Sequence, residues 1–166
     1  IIYKKTYVGE MKTYKKVNIE KKFKKSVLAI GNFDGLHLGH QKVLRQARKK
    51  AEKHKLKFGV MTFEPVPVMF FNKKIKHHRI NNLKQKIIGF KKIKVDFLII
   101  IKFNKKFSKL NSNKFIEKIL YKNLNIKYLF VSKNFKFGKN REGNVEKLKA
   151  NEKKYNFKTI ISEPLK

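Results

Sequence analysis

The sequence predicts an α/β fold: a Rossmann-like, doubly wound and mainly parallel five-stranded sheet with helices on both faces. Short apolar runs rich in Val, Ile and Phe alternate with longer stretches of helical period, which is the pattern of a parallel sheet with crossover helices. The chain has 166 residues, 41% of them hydrophobic, which is enough to bury the core of one domain. A wholly disordered chain is therefore not expected.

The elements follow one another in a regular order along the chain. Residues 1–24 are lysine-rich and weakly patterned, and we expect them to form an extra edge strand or a loose arm. After them, strands are expected where a run is apolar throughout, as in strands buried on both faces. The run 26–30 precedes a helix at 40–54, the run 58–63 a helix at 82–93, the run 95–102 a helix at 112–121, and the run 126–132 a helix at 144–155, before a last strand at 157–161.

The third of these helices has the clearest start signal. Asn111 and Ser112 are favoured N-cap residues, and the apolar positions 115, 116, 119 and 120 share one helical face. In doubly wound sheets, ligands bind outside the carboxyl ends of the strands. The loops that follow the apolar runs are therefore expected to carry the functional site.

The chain is strongly basic, because 44 Lys and Arg residues face 11 Asp and Glu residues and leave a formal net charge of +33. Such a surface attracts nucleic acid and phosphorylated small molecules alike. However, 40 of the 44 basic residues are Lys, and Asn and Ile are also abundant, all three having codons that A and T can supply. A biased genome therefore explains the charge, and we expect no nucleic-acid partner from it.

Missing features exclude several classes of protein. The chain has no Cys, which excludes a disulfide framework and a thiolate metal site. It has no run of about 18 apolar residues, so no membrane-spanning helix and no membrane partner are expected. Lys4, Lys5 and Lys12 interrupt any apolar stretch of a secretory signal. A cytoplasmic location is the expectation that remains.

The segment after the first apolar run combines glycines with two histidines. It reads Gly31-Asn32-Phe33-Asp34-Gly35-Leu36-His37-Leu38-Gly39-His40. Gly31 and Gly35 permit a sharp turn that approaches a ligand closely, and the helix that follows offers free N–H groups to anionic oxygens. His37 and His40 are three residues apart, so both side chains lie on one face. The segment predicts a phosphate site flanked by two imidazoles.

Such a site suits attack on the α-phosphate of a nucleoside triphosphate. That reaction needs stabilisation of charge on the transferred group and on the leaving pyrophosphate rather than a covalent intermediate. Histidines beside phosphate favour the protonated form, which donates two hydrogen bonds. Mg²⁺ is expected to bridge the phosphates, whereas a metal site made by the protein itself is not expected, because no third ligand accompanies the histidine pair.

Three other segments accompany this turn in a fixed order. They are Met61-Thr62-Phe63-Glu64-Pro65-Val66-Pro67 at the second run, Arg79 followed by Leu83 and Lys86, and Phe135-Lys136-Phe137-Gly138-Lys139-Asn140-Arg141-Glu142-Gly143 after the fourth run. The His-x-Gly-His pattern at positions 37–40 resembles the signature of the nucleotidyltransferase superfamily. Together the segments resemble the adenylyltransferase half of bacterial bifunctional riboflavin kinase/FAD synthetases over roughly residues 26–161.

The resemblance implies FMN adenylyltransferase activity, in which ATP and FMN give FAD and pyrophosphate. It implies a catalytic role for His37 and His40. It implies ATP binding by Gly31, Asn32, Phe33, Asp34, Gly35, Gly39 and Asn134. It implies flavin or phosphate binding by Phe63, Pro65, Pro67, Arg79, Phe135, Phe137 and Gly138. Residues 25–166 are expected to form this domain, without the Ile-Ser-Ser-Thr stretch and the riboflavin kinase barrel that follow in such relatives.

Two other functions stay open at this point. The His-x-Gly-His turn alone is equally typical of cytidylyltransferases and pantetheine-phosphate adenylyltransferases, although the 63–67 and 135–143 segments favour a flavin substrate. A basic RNA-binding module without catalysis would instead place its lysines on one face with exposed aromatic rings between them. The lysines of this chain run along its whole length.

Overall fold

A computed structural model describes residues 10–72 and 83–162 of the chain. Within these residues, six strands form one sheet in which every neighbouring pair is parallel. The strands are β1 (Lys12–Tyr14), β2 (Val27–Ile30), β3 (Phe58–Glu64), β4 (Phe97–Lys102), β5 (Tyr128–Ser132) and β6 (Lys158–Ser162). The α/β fold class is confirmed, and the prediction of five strands is wrong by one. The extra strand is β1, which pairs with β4 at the edge of the sheet.

The helices lie between the strands. They are α1 (Leu38–His54), α2 (Pro67–Phe71), α3 (Leu83–Lys92), α4 (Lys105–Ser108), α5 (Ser112–Lys114), α6 (Val145–Ala150) and α7 (Glu152–Tyr155). The helix predicted at 112–121 is α5 followed by a π-helical segment, Phe115–Asn123. The helix predicted at 144–155 is two helices, because α6 ends at Ala150 and α7 begins after Asn151. The short helices α2 and α4 were not predicted.

The helices cover both faces of the sheet. Alternate residues of β2 belong to different apolar clusters: Leu28 and Ile30 to one, Val27 and Ala29 to the other. This follows from the two-residue period of a strand, whose successive side chains point to opposite faces. Buried apolar residues of α1 and α3 belong to the cluster of Val27, while those of the 115–123 segment and α6 belong to the cluster of Leu28.

The strand order is β1-β4-β3-β2-β5-β6. The chain moves outward from β2 through β3 to β4, and then returns to place β5 on the other side of β2. Such a reversal leaves a crevice between the two loops that follow the central strands, and ligands of doubly wound folds bind there. The loops after β2 and β5 therefore meet at the expected place for a site. No helix in the described ranges is long and apolar enough to cross a membrane.

Candidate active site

The turn after β2 has an unusual backbone. Phe33 has a φ of 49° and lies in the left-handed region, which costs a residue with a side chain about 1–2 kcal/mol. Gly35 has a φ of 75°, which glycine adopts freely, and Leu36 has a φ of 38°. A short 3₁₀ turn at Asp34–Leu36 leads into α1, whose first residue is Leu38. The turn therefore exposes peptide groups that a regular helix or strand would pair.

The two histidines meet as the helical spacing predicts. The His37 and His40 rings are stacked, with centroids 3.7 Å apart and planes at 23°. His37 is exposed, whereas His40 is half-buried and lies edge-on to the Phe33 ring, with centroids 5.6 Å apart. Among the described residues, Nδ1 of His40 is buried and has no hydrogen-bond partner.

The environment of His40 keeps its imidazole neutral. The pKa of His40 is lowered to about 4, chiefly by burial and then by the neighbouring His37 and Lys86, against the opposing effect of Asp34. The protonated form expected from the sequence therefore requires an anion at the site. A bound phosphate would supply the negative charge that favours the imidazolium.

A buried lysine lies beneath the turn. The side chain of Lys86 in α3 is fully buried, and its ammonium donates hydrogen bonds to the Asn32 carbonyl at 2.9 Å and to Thr62 Oγ1 at 3.4 Å. Thr62 Oγ1 in turn donates to the same carbonyl at 3.2 Å. The motif of Arg79, Leu83 and Lys86 does not predict this contact. Lys86 lies on the same face of α3 as the apolar residues Leu83, Ile87 and Phe90. This position in the sequence indicates that the lysine is buried.

A cleft of about 960 Å³ opens where the loops after β2 and β5 meet, and its size is in the range of small-molecule sites. The structure brings most of the predicted site residues to its wall: Gly31, Asn32, Phe33, Asp34, His40, Phe63, Pro67, Asn134, Phe135, Phe137 and Gly138. Four other predicted residues, Gly35, His37, Gly39 and Pro65, are described but do not line it. Arg79 lies outside the described residues.

One wall of the cleft is built from phenylalanine rings. Phe63 lies 6.1 Å from Phe103, which lies 5.6 Å from Phe107, measured between ring centroids. The series continues through Phe115 and Phe137 at spacings of 6.5 and 5.2 Å, and ends at Phe135. We call these six rings the phenylalanine wall. Phe71 also lines the cleft and is 70% exposed.

Three of the six rings in the phenylalanine wall, those of Phe103, Phe107 and Phe115, were not predicted as site residues. Phe103 directly follows β4, so the rule that sites lie at the carboxyl ends of strands could have found it. Phe107 lies in the four-residue helix α4, which is too short to show a period. Phe137 is largely buried and pairs through its backbone with Gly143, so it anchors its loop as well as lining the cleft.

The loop 135–143 is fastened to the start of α5. Glu142 accepts hydrogen bonds from the Ser112 N–H at 2.9 Å and the Ser112 hydroxyl at 3.2 Å. The hydrogen bond from the Ser112 backbone, more than any other contact, lowers the pKa of Glu142. Lys147 donates to the Ser112 hydroxyl at 2.6 Å. These contacts place Lys139 and Arg141 along the cleft, which adds positive charge beside the turn.

The chain matches a family model described as FAD synthetase over residues 19–166. It is 41% identical over 143 residues to the bifunctional riboflavin kinase/FMN adenylyltransferase of Buchnera aphidicola subsp. Schizaphis graminum, covering 86% of this chain and 46% of the relative. It is 42% identical over 130 residues to the protein of the same description from Haemophilus influenzae, covering 78% of this chain and 42% of the relative. The chain therefore spans about half the length of the curated relatives it matches.

Solved structures resemble the fold. A crystal structure described as a macrolide-efflux protein from Streptococcus pneumoniae superimposes with a TM-score of 0.75 at 28% identity, covering 93% of this chain and 50% of that one. A pantoate-β-alanine ligase from Francisella tularensis, described as complexed with β-γ ATP and β-alanine, superimposes with a TM-score of 0.56. At 17% identity, with 94% of this chain and 71% of the ligase covered, the second likeness shows the fold alone.

Proposed function

Because the chain belongs to the FAD synthetase family, we propose that it is an FMN adenylyltransferase, which transfers AMP from ATP to FMN. The observation that carries the proposal is that the histidine turn and the phenylalanine wall line one cleft at the switch point of the sheet. The first suits a triphosphate and the second suits a flat aromatic ring system. The activity is assigned to residues 25–166, with β1 completing the sheet.

The proposed reaction needs no covalent enzyme intermediate. An oxygen of the FMN phosphate attacks the α-phosphorus of ATP, a new P–O bond forms, and the bond to the bridging oxygen breaks to release pyrophosphate. Negative charge grows on the leaving pyrophosphate, so preorganised donors lower the barrier. His40 lines the cleft with the turn, and these groups would supply such donors, while His37 stacks on His40 from outside the lining of the cleft.

The flavin is expected against the phenylalanine wall. Offset and edge-on contacts between aromatic rings contribute about 0.5–1.5 kcal/mol each beyond the buried area. Phe63 and Phe107, with ring centroids 6.0 Å apart, and the partly exposed Phe135 offer such surfaces in the cleft. Lys139 and Arg141 lie along the same cleft and suit the FMN phosphate.

The cleft residues fit a Mg²⁺ ion that arrives with ATP. Among the described residues that line the cleft, Asp34 supplies the carboxylate, and no group of three metal-binding side chains occurs in the described ranges. Mg²⁺ commonly binds through one or two carboxylates together with substrate phosphates and waters. When bound, the ion would neutralise phosphate charge, and Asp34 is the residue we expect to hold it.

The test is FAD formation from ATP, Mg²⁺ and FMN, followed by chromatography. We expect His40→Ala to lower the rate by about a hundredfold or more, since it removes a donor from a preorganised site. We expect His37→Ala to lower the rate in the same direction. His54→Ala is the matched control, because His54 lies at the far end of the same helix and should leave the rate unchanged.

Parallel incubations separate the alternatives. Replacing ATP with CTP tests for a cytidylyltransferase. Replacing FMN with pantetheine phosphate tests for a pantetheine-phosphate adenylyltransferase. Turnover of either, without FAD formation, would replace this assignment. No turnover with any substrate, together with tight salt-dependent RNA binding, would support a binding module instead.

A further inference from the structure

Lys86 is a buried charged residue that has no role in the proposed reaction. It is the only buried lysine among the described residues, and its ammonium lies under the turn rather than in the cleft. Burying a charge costs desolvation free energy unless the charge is hydrogen-bonded or paired. Its contact with a backbone carbonyl, rather than with a substrate group, indicates an effect on the backbone.

The contact constrains one peptide unit. The Asn32 carbonyl accepts hydrogen bonds from Lys86 and Thr62, so this oxygen faces the interior side of the turn. The peptide bond is planar, and that between Asn32 and Phe33 is trans, because the cis bond of the described backbone is Glu64–Pro65. In a trans peptide the C=O and N–H point in opposite directions. The Phe33 N–H therefore points away from Lys86.

The Phe33 N–H has no acceptor in the part of the chain that the structure describes. Phe33 itself lines the cleft, and its left-handed φ is a local strain of the kind that persists only where the surroundings enforce it. Backbone N–H groups in turns with left-handed residues form concavities that bind anions. Strain, an unpaired donor and a buried cation thus coincide at one peptide.

We propose that Lys86 is a positioning residue that fixes the Asn32–Phe33 peptide so that the Phe33 N–H donates a hydrogen bond to a phosphate oxygen of a pyrophosphate group. The inference rests on the proposed function for the identity of the ligand, and it concerns binding rather than turnover. Lys86 acts through the backbone and does not touch the ligand. Its positive charge also raises the potential of the turn, as its effect on His40 shows.

The experiment uses inorganic pyrophosphate as the probe. Lys86→Met keeps the length and helical preference of the side chain but removes the ammonium, and we expect it to weaken pyrophosphate binding about tenfold or more. Lys91→Met is the matched control, since Lys91 lies exposed on the same helix and its loss changes the net charge equally. The control should bind pyrophosphate within about twofold of the unchanged protein, because a distant exposed charge is screened.

A second measurement reads the donor directly. In ¹⁵N-labelled protein, the Phe33 amide resonance should shift on addition of pyrophosphate, and this shift should be lost in Lys86→Met. If Lys86→Met does not fold, Lys86→Gln, which also lacks the charge, replaces it in both measurements. A Phe33 amide of the unchanged protein that ignores saturating pyrophosphate overturns the proposal with either variant. Equal weakening by Lys86→Met and Lys91→Met overturns it as well.

The outcome is independent of FAD formation. If the protein makes no FAD but the Phe33 amide responds to pyrophosphate and this response is lost in Lys86→Met, the role of Lys86 stands and the FMN substrate is rejected. If FAD forms while Lys86→Met binds pyrophosphate normally, the enzyme assignment stands and the role of Lys86 is rejected.

Discussion

At the scale of single residues, His40 links the stability of the fold to the chemistry of the turn. Its imidazole is half-buried, stacked on His37 and edge-on to Phe33, so the uncharged form is favoured in the protein without ligand. A phosphate ligand shifts this balance toward the charged form. Ligand binding at the turn should therefore be accompanied by uptake of a proton.

The lowered pKa of His40 predicts a dependence of stability on pH. An unfolded histidine titrates near 6.5 and the folded His40 near 4, so between these values the unfolded chain binds a proton that the folded chain does not. His40 thus destabilises the fold as pH falls from about 6.5 to about 4, by at most about 1.4 kcal/mol per pH unit. Above pH 6.5 both states are neutral and the effect vanishes.

Urea unfolding across this pH range measures the effect. The free energy of unfolding of His40→Gln should fall less steeply with decreasing pH than that of the unchanged protein, and the two should differ by a constant above pH 6.5. Parallel curves throughout would show that the folded His40 titrates normally. His54→Gln provides the comparison at an exposed histidine of the same helix.

At the scale of elements, the start of α5 organises the far side of the cleft. Asn111 accepts a hydrogen bond from the Lys114 N–H and so caps the helix, while Glu142 occupies the Ser112 N–H. Gly138 packs on the same residue so closely that an added Cβ would lie 2.7 Å from the Ser112 nitrogen. The loop after β5 and the start of α5 are therefore held together by close backbone contact.

Gly138→Ala should test this contact. The substitution combines a clash with backbone atoms and a φ of 79°, and we expect it to lower the free energy of unfolding by about 2 kcal/mol. Asn140→Gly in the same loop is the control, since Asn140 also has a positive φ, of 55°, which glycine adopts without cost. Denaturant unfolding of both variants decides: similar stabilities would mean that the loop moves away from α5 easily.

The elements that were predicted correctly share a physical cause. β2 and β3 are buried along nearly their whole length, so an apolar run specifies them without tertiary information. β1 has three residues that are mostly exposed, and of these the Tyr14 side chain packs against the core. No apolar run marks such a strand, which is why it was not counted among the five and residues 1–24 were expected only as an extra edge strand or a loose arm.

The helix and site details missed from the sequence depend on contacts between distant residues. The pattern at 115–120 is compatible with an α-helix, and the sequence gives no reason for the π-helical hydrogen bonds observed. The turn at 31–40 was recognisable because its glycines and histidines are local. The hydrogen bond from Lys86 to Asn32 joins residues 54 positions apart, so it could be recognised only once the fold was known.

At the scale of the whole molecule, repulsion among positive charges opposes the fold. The net charge of +33 is carried mostly by lysines, and Lys86 is the buried one among those described. The exposed ammonium groups repel one another over the Debye length, which is about 30 Å at 0.01 M salt and about 3 Å at 1 M. Salt should therefore stabilise this protein.

Thermal unfolding at increasing NaCl concentration checks this expectation. We expect the midpoint to rise by several degrees, because about 1 kcal/mol corresponds to about 2–4 °C for a domain of this size. The buffer and its neutral pH should be held constant so that only the ionic strength changes. A midpoint that falls or stays level would show that attractive ion pairs outweigh the repulsion.

The two outer strands give the lysine excess a consequence for behaviour at high concentration. β1 begins with Lys12 and β6 with Lys158, both exposed, and in the described part of the chain these strands form the rims of the sheet. An open rim is a template on which a second molecule can add its own strand and start a fibril. Two such rims brought together would bring ammonium groups close to one another, so we expect the lysine excess to oppose pairing between the sheets of two molecules.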